Sequence, residues 1–516
     1  MTSPLGAEGS AWMWQIAGKV SVKNLKTVIK LHDLTGFDGR CDAIYFTTEV
    51  GKMPPSDVKE LEAFRRQALG LPDEAPVAGE YDLVVVGAGI AGMSAAVSAA
   101  RLGCRVALIN DRPVVGGNNS SEIRVHLGGR IEEGTYKELG GLQKEFGPEK
   151  GGNAQPAEYY EDQKKMDWLA GEKNVSLFLN FRAIGVTKEG DKITSVIVKH
   201  IESGKELKFE APLFSDCTGD GTIGYLAGAD YRMGREGRDE YGESIAPEKA
   251  DKLTMGSSVQ WYSVDNKKSS PFPEFGYGVE FNDKNCEKVM MGEWTWETGM
   301  NFDQIKDFER IRDYGMLVVY SNWSYLKNRM KENDQYKNRK LGWVAYVAGK
   351  RESRRLMGDY ILKEDDITKN VSHEDASFAT TWSIDLHWQD PKNSEHFPGN
   401  EFKAVTKHIL IHPYAVPYRC LYSRNVDNLF MAGRNISVTH VALGTVRVMR
   451  TTGMMGEVVG MAASLCKKYD VTPRGVYRSH LEDLKTLMKE GVNKKGLPNN
   501  QRYNEGGMLK DKPVVQ

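Results

Sequence analysis

The stretch Tyr81–Leu102, YDLVVVGAGIAGMSAAVSAARL, decides the fold. Tyr81–Val86 reads as a parallel strand buried on both faces, and Ile90–Leu102 as a helix of small residues. Between them Gly87, Gly89 and Gly92 form a GxGxxG that closes a strand and opens a helix, the arrangement that binds a dinucleotide. Gly87 permits the tight turn, Gly89 lets the backbone approach a pyrophosphate, and Gly92 allows the helix to pack against the strand. The helix N-terminus, through Ile90 and Ala91, offers unpaired N–H groups and a positive dipole end to the phosphates. Leu83–Ala100 is also uncharged over a length close to the ~20 residues of a membrane helix. Three glycines within it favour the strand–turn–helix reading.

Arg105–Ile109 supplies a second strand. An acidic residue is expected at its end to accept hydrogen bonds from a ribose. Asn110 stands there with Asp111 directly after it, so either residue is the candidate. The formal pattern recurs at Gly219, Gly221 and Gly224, but no strand follows to complete a βαβ unit, so one dinucleotide domain is the count.

Farther out, Val175, Leu177, Leu179 and Phe181 alternate, and Glu189–Lys192 turns the chain into Ile193–Ile201, a β-meander. Residues 231–404 hold seven of the ten tryptophans and show few βα alternations, which predicts an inserted α+β substrate domain. The strand and glycine pattern returns near Asn428, and Tyr477, Leu481, Leu484 and Met488 mark a last amphipathic helix before a tail at 491–516. Upstream, Val58, Leu61, Phe64 and Ala68 follow helical spacing, and residues 71–80 read as linker. Lys19–Val22, Thr27–Leu31 and Asp42–Thr48 read as three strands of a partial β module over 1–55, a truncated sandwich in this reading.

Composition limits the function. With 69 basic and 70 acidic residues in 516, the net charge of −1 argues against nucleic acid as a partner. Six cysteines, no two at CxxC spacing, support neither a disulfide scaffold, a zinc site nor a redox pair. Residues 1–18 lack the basic and apolar regions of a signal peptide, so the expectation is a cytoplasmic protein without membrane insertion, with export open if the N-terminus is truncated. Glycine, 53 of 516, exceeds the usual ~7% and clusters at the turns just named.

Four stretches carry a resemblance: VVVGAGIAGMSAA at 84–96, DRPVVGGNNSSEIRV at 111–125, DCTGDG at 216–221 and NLFMAGRNISVTHVALGTVRVMRTTGMMGE at 428–457. With RESRRLMGDY at 351–360 and WSIDLH at 382–387, the chain from about 80 to 490 resembles FAD-dependent oxidoreductases of the glutathione-reductase-like superfamily. Some members of the subfamily it is most similar to are fused to carbohydrate-related β modules. The resemblance implies FAD as cofactor in a Rossmann-like α/β domain, divided between 81–230 and 405–490. It places Gly116, Gly117 and Asn118 along the ribityl diphosphate, with Arg112 and Ala183 nearby, and Thr218, Gly219 and Asp220 where the chain returns to the cofactor. Gly433 and Arg434 then stand at a strand end, and Thr452, Gly453 and Met454 open a helix whose N-terminus faces the flavin.

Flavin carries the redox step, so the protein must supply a pocket and an acid or base. His440 is the favoured base, with His412 and His387 next, and Arg419 and Arg447 are candidates for an anionic group or the reduced flavin. The RESRR run reads as an ion-paired helix start. The aromatic insertion suits a small hydroxylated substrate, a sugar or glycoside, although core packing explains most tryptophans. The expected reaction removes a hydride from a hydroxyl-bearing carbon. The alternatives are reduction of an activated double bond and a carbohydrate-binding flavoprotein without turnover.

Overall fold

The computed structural model describes residues 5, 12–32, 41–274, 276–499 and 509–510. The chain divides into two compact units, Met1–Pro76 and Val77–Gln516. In the first, helix α1 (Val58–Ala68) forms as expected, opened by Asp57, whose side chain accepts from the N–H groups of Lys59 and Glu60. The three expected strands do not form among the described residues. A strand needs a neighbour for its N–H and C=O groups, and here Val20, Val22, Val28 and Leu31 stay exposed with no ladder beside them. The partial β module is therefore corrected to irregular chain followed by a helix.

The second unit is built on a five-stranded parallel sheet. Strands β1 (Val77–Glu80), β2 (Leu83–Val86), β3 (Val106–Ile109) and β4 (Val175–Phe178) come first. They are followed by β5 (Phe181–Glu189), β6 (Lys192–His200), β7 (Glu206–Glu210) and β8 (Leu213–Asp216). In the parallel sheet the strand Leu429–Met431 pairs with β8, then β2, β3 and β4. Every residue of β2, β3 and β8 is buried, which is why β2 and β3 read as unbroken apolar runs, while β8 ends in the buried polar pair Ser215 and Asp216. The meander is β5–β6–β7, turning at Glu189–Lys192 as expected, but the alternating run read as its first strand divides: Val175–Phe178 is β4 of the parallel sheet, and the meander starts at Phe181. Its outer strand β1 pairs parallel to β7 and comes from the stretch expected as linker, Val77–Glu80. Three small or polar residues in VAGE, Ala78, Gly79 and Glu80, hid a strand that only its partner specifies.

Helix α2 (Ile90–Arg101) lies between the sheet and the helix Met449–Tyr469. Small residues set that approach: a Cβ on Gly456 would stand 2.1 Å from the Ala91 carbonyl oxygen, and one on Gly460 would stand 2.5 Å from Ser98 Cβ. The expected final helix is two, Pro473–Ser479 and Leu481–Glu490, separated at His480.

Residues 231–404 supply a second apolar core around Trp261, Trp296 and Trp323. Trp261 meets the other two edge-on at centroid distances of 5.3 and 5.8 Å. This core belongs to the same compact unit as the sheet, so the expected inserted domain is a second core rather than a unit apart. Burial of these three rings assigns them to packing.

Candidate functional site

The carboxyl ends of β2, β3 and β8 meet at a glycine-lined cradle. Gly87 has φ +101°, and a Cβ there would stand 2.3 Å from the Cys217 carbonyl oxygen. A Cβ on Gly92 would stand 1.8 Å from the Gly87 carbonyl oxygen, so α2 starts directly against the turn. Gly89 is the N-cap of α2 and no side chain caps it, which leaves the first turn, Ile90 and Ala91 included, for a ligand.

Asn110 Oδ1 accepts from Ala88 N–H at 3.2 Å, and Nδ2 donates to the carbonyls of Arg112 (3.1 Å) and Val114 (2.9 Å). Its amide is thus spent on joining two loops, whereas Asp111 remains exposed. Desolvation by the surrounding protein raises the Asp111 carboxyl above its ordinary value, with Asp220 adding to the rise and Arg182 and Arg112 opposing it. Arg112 is committed to an ion pair with Glu122. Ala183 is buried in β5, whose first residue, Phe181, donates its N–H to the Asn110 carbonyl at 2.9 Å.

Gly116 (φ +102°) and Gly117 (φ +58°) fold back onto Gly89, and a Cβ on Gly117 would stand 3.1 Å from Gly89 Cα. Beneath this turn Lys165 is fully buried, donating to the carbonyls of Asn119 (2.8 Å) and Tyr160. Burial pushes its amine down to about 8. Asn118 Nδ2 donates to the Lys350 carbonyl at 3.1 Å.

On the opposite side, Thr218 Oγ1 donates to Asp216 at 2.7 Å and sets the turn that presents Gly219 and Asp220. Asp220 accepts from Lys350 Nζ (2.6 Å), Arg434 Nη2 (2.8 Å) and Ser353 Oγ (2.8 Å). Burial opposes its ionisation, but the two cations outweigh it and hold the carboxyl well below the usual range. A Cβ on Gly219 would meet the Arg434 guanidinium at 2.4 Å, and Gly433 carries φ +121° beside it. The second GxGxxG leads into the six-residue helix Thr222–Ala227 with no parallel strand after it, as expected.

One expected feature is displaced. Thr452, Gly453 and Met454 do not open their helix, because it begins at Met449 after the N-cap Val448 and all three are buried inside it. Nothing in VMRTTG interrupts a helix, so it starts a turn earlier. Its first turn faces Gly128, whose carbonyl accepts from Arg450 N–H at 2.9 Å.

Of the five candidate catalytic residues, the structure brings two together. His387 Nδ1 lies 2.6 Å from Glu297 Oε2, and its Nε2 lies 3.0 Å from Arg447 Nη2. An ionised carboxylate only accepts and a guanidinium only donates, so His387 carries its proton on Nδ1 and its lone pair on Nε2. Glu297 is fully buried; burial opposes its ionisation, yet Arg351 and His387 hold it at about 2. His440 forms a second pair, with Nδ1 2.9 and 3.0 Å from the two oxygens of Glu352. His412 lies apart, with Nδ1 buried and unpartnered. Arg419 is spent on a bidentate ion pair with Asp375.

The RESRR run is not a helix start. It is an extended strap between the short strands Gly349–Lys350 and Arg355–Leu356. Arg351 Nε lies 3.4 Å from Glu297, Glu352 holds His440, Ser353 reaches Asp220, and Arg355 bridges Glu352 and Glu236. Its side chains leave it in different directions, so one strap serves several partners. Met255 and Gly256 repeat the link, their N–H groups donating to Glu352 (2.9 Å) and Glu297 (2.6 Å). Sequence reasoning missed Glu297, Glu352, Asp385 and Lys350. Glu297 and Asp385 are acidic residues among aromatic or apolar neighbours, whereas Lys350 and Glu352 lie in the charged run at 350–355, where nothing local singles them out.

The fold and cradle define a dinucleotide-binding α/β protein. The chain belongs to the FAD dependent oxidoreductase family, whose model matches residues 82–488, and it is an enzyme with FAD as cofactor. The uncapped α2 terminus, the facing Gly89 and Gly117, and the cations Lys350 and Arg434 fit a diphosphate. Among solved structures, a geranylgeranyl bacteriochlorophyll reductase-like protein from Thermoplasma acidophilum is 14% identical, covering 80% of this chain and 83% of its own, with a TM-score of 0.33. The myxobacterial chondrochloren halogenase CndH is 13% identical over 80% of this chain and 79% of its own, TM-score 0.34. A flavocytochrome c3 fumarate reductase is 12% identical over 78% and 80%, TM-score 0.32. A comparison with curated proteins found no match. No helix among the described residues is long and apolar enough to cross a membrane.

Proposed function

We propose that the protein removes a hydride from a hydroxyl-bearing carbon of a small, carbohydrate-like substrate, and that it is a glutathione-reductase-like flavoprotein. Bound FAD supplies the two-electron acceptor. Asp111, the exposed carboxylate at the end of β3, is the ribose ligand in this reading. His387 takes the hydroxyl proton. The observation that supports it is the Glu297–His387 contact of 2.6 Å, which fixes Nδ1–H and leaves the lone pair on Nε2. Arg447 donates to that lone pair, so Nε2 already serves as an acceptor, and a substrate hydroxyl takes the same place. Arg447 also directly precedes Val448, the N-cap of the helix expected to face the flavin.

His440, favoured by sequence, gives a second reading, because its Nδ1 is held by Glu352 and its Nε2 has no hydrogen-bond partner among the described residues. Anaerobic titration of the FAD-loaded protein with sugars, glycosides and polyols tests the reaction. Bleaching of the flavin is expected, abolished in His387→Ala with FAD retained. Reoxidation of reduced enzyme by an activated alkene, with no bleaching by any alcohol, establishes the reverse chemistry. Glycan binding without either leaves a binding flavoprotein.

A further inference from the structure

We propose that His387, Asp385 and His408 form a proton path from the buried catalytic pair to solvent. The inference rests on the reading that His387 takes a proton. An imidazole buried to 3% side-chain exposure cannot hand that proton to bulk water directly, so something must carry it.

The geometry supplies a carrier. His387 Nε2 lies 3.3 Å from Asp385 Oδ1, and that same oxygen lies 3.6 Å from His408 Nδ1. Side-chain exposure rises along the chain of groups, from 0% at Glu297 through 3% at His387 and 10% at Asp385 to 30% at His408. The order follows from one hairpin. Asp385 and His387 are two residues apart in the strand Ile384–Gln389 and share a face, and His408 is directly opposite Asp385 in Ala404–Ile409. Asp385 Oδ1 is buried and accepts no hydrogen bond among the described residues, its neighbours being the two imidazoles at 3.3 and 3.6 Å, while Oδ2 is held by Arg447 (2.9 Å) and Trp382 Nε1 (3.2 Å). The carboxylate therefore has one oxygen clamped and one left between two imidazoles.

The groups facing His387 are Glu297, Asp385, Arg447 and the Trp294 ring, with Arg351 behind Glu297; His408 faces Asp385 and Ser383. Two carboxylates against two guanidiniums leave this cluster neutral, so one added proton is accommodated on an imidazole. In the step, the substrate O–H bond breaks as Nε2–H forms, and Arg447 releases Nε2. Nε2–H then breaks as Oδ1–H forms on Asp385, and that proton passes to His408 Nδ1. Loss of the other imidazole proton of His408 to water leaves the ring protonated on Nδ1, and a ring flip or proton exchange with water returns the tautomer that accepts at Nδ1. Arg447 keeps Asp385 ionised at rest, so the proton resides on the histidines and only passes through the carboxylate.

The test uses oxidised FAD-loaded protein labelled with 15N-histidine, without substrate. In His408→Ala, and in Asp385→Asn, the Nε2 proton that His387 carries once the imidazole is cationic is expected to exchange with water about tenfold more slowly. Added imidazole restores the exchange in His408→Ala. Unchanged exchange in His408→Ala overturns the path. Full flavin bleaching in His387→Ala overturns the catalytic reading instead, and leaves the exchange result standing.

Discussion

Lys350 and Asp220 are joined across the cofactor cradle by a 2.6 Å contact, while the Lys350 carbonyl accepts from Asn118 on the other side. One residue therefore ties the glycine turn at 116–118 to the turn at 218–220. Lys350→Met leaves Asp220 with Arg434 and Ser353 only. Chemical denaturation is expected to show a loss of about 1–3 kcal/mol, and FAD affinity to fall about tenfold. Lys350→Met/Asp220→Asn should lose less than the sum of the single variants, since each removes the same contact.

Gly117→Ala tests the cradle with little change elsewhere. The backbone at φ +58° costs a Cβ-bearing residue about 1 kcal/mol, and the new methyl stands 3.1 Å from Gly89 Cα. The variant is expected to fold with a small drop in melting temperature and to purify with markedly less bound flavin. Full flavin content would contradict the assignment of this turn to the diphosphate.

The two histidine–carboxylate pairs make different predictions. His387→Ala should slow flavin reduction by about 10²–10⁴ with FAD retained, as expected for loss of a general base. Glu297→Gln leaves an amide facing the Gly256 N–H and removes the anion that fixes the His387 tautomer, so it should follow His387→Ala. His440→Ala leaves Glu352 with Arg355 and the Met255 N–H, and should reduce stability more than rate. Rapid-mixing absorbance and thermal melts of the same preparations separate these outcomes.

Stability should depend on pH through Glu457. This fully buried carboxyl accepts from the N–H groups of Gly140 and Leu142, but burial pushes it up to about 8. The unfolded chain loses the proton near the ordinary 4.5, so between about 4.5 and 8 the folded state binds more protons. Stability then falls as pH rises through that window, by the order of a few kcal/mol, and levels off above it. Urea unfolding midpoints from pH 5 to 9 should show this slope, and Glu457→Gln, which cannot ionise, should flatten it.

Much was legible in the sequence wherever local geometry dictates the residue. Gly87, Gly89 and Gly92 follow from a turn that a Cβ would block, and the runs in β2 and β3 from burial on both faces. Core packing is the reading the sequence favours for most tryptophans, and burial of Trp261, Trp296 and Trp323 agrees with it. The expected strands at 19–48 show the limit of alternation as a signal, since a strand forms only where another strand meets its backbone.

The glycine turn at 87–92 and the β5–β6 turn are legible in the sequence because they rest on contacts between near neighbours, and the class of cofactor is legible through the resemblance those motifs carry. Only the tertiary structure decided that RESRR is a strap rather than a helix start. It also paired His387 with Glu297 and Arg447, His440 with Glu352, and Asp385 with His408. Those partners lie up to 90 residues apart. Glu297 and Asp385 are buried against Arg351 and Arg447, which arrive from elsewhere in the chain, and periodicity carries no record of that arrival.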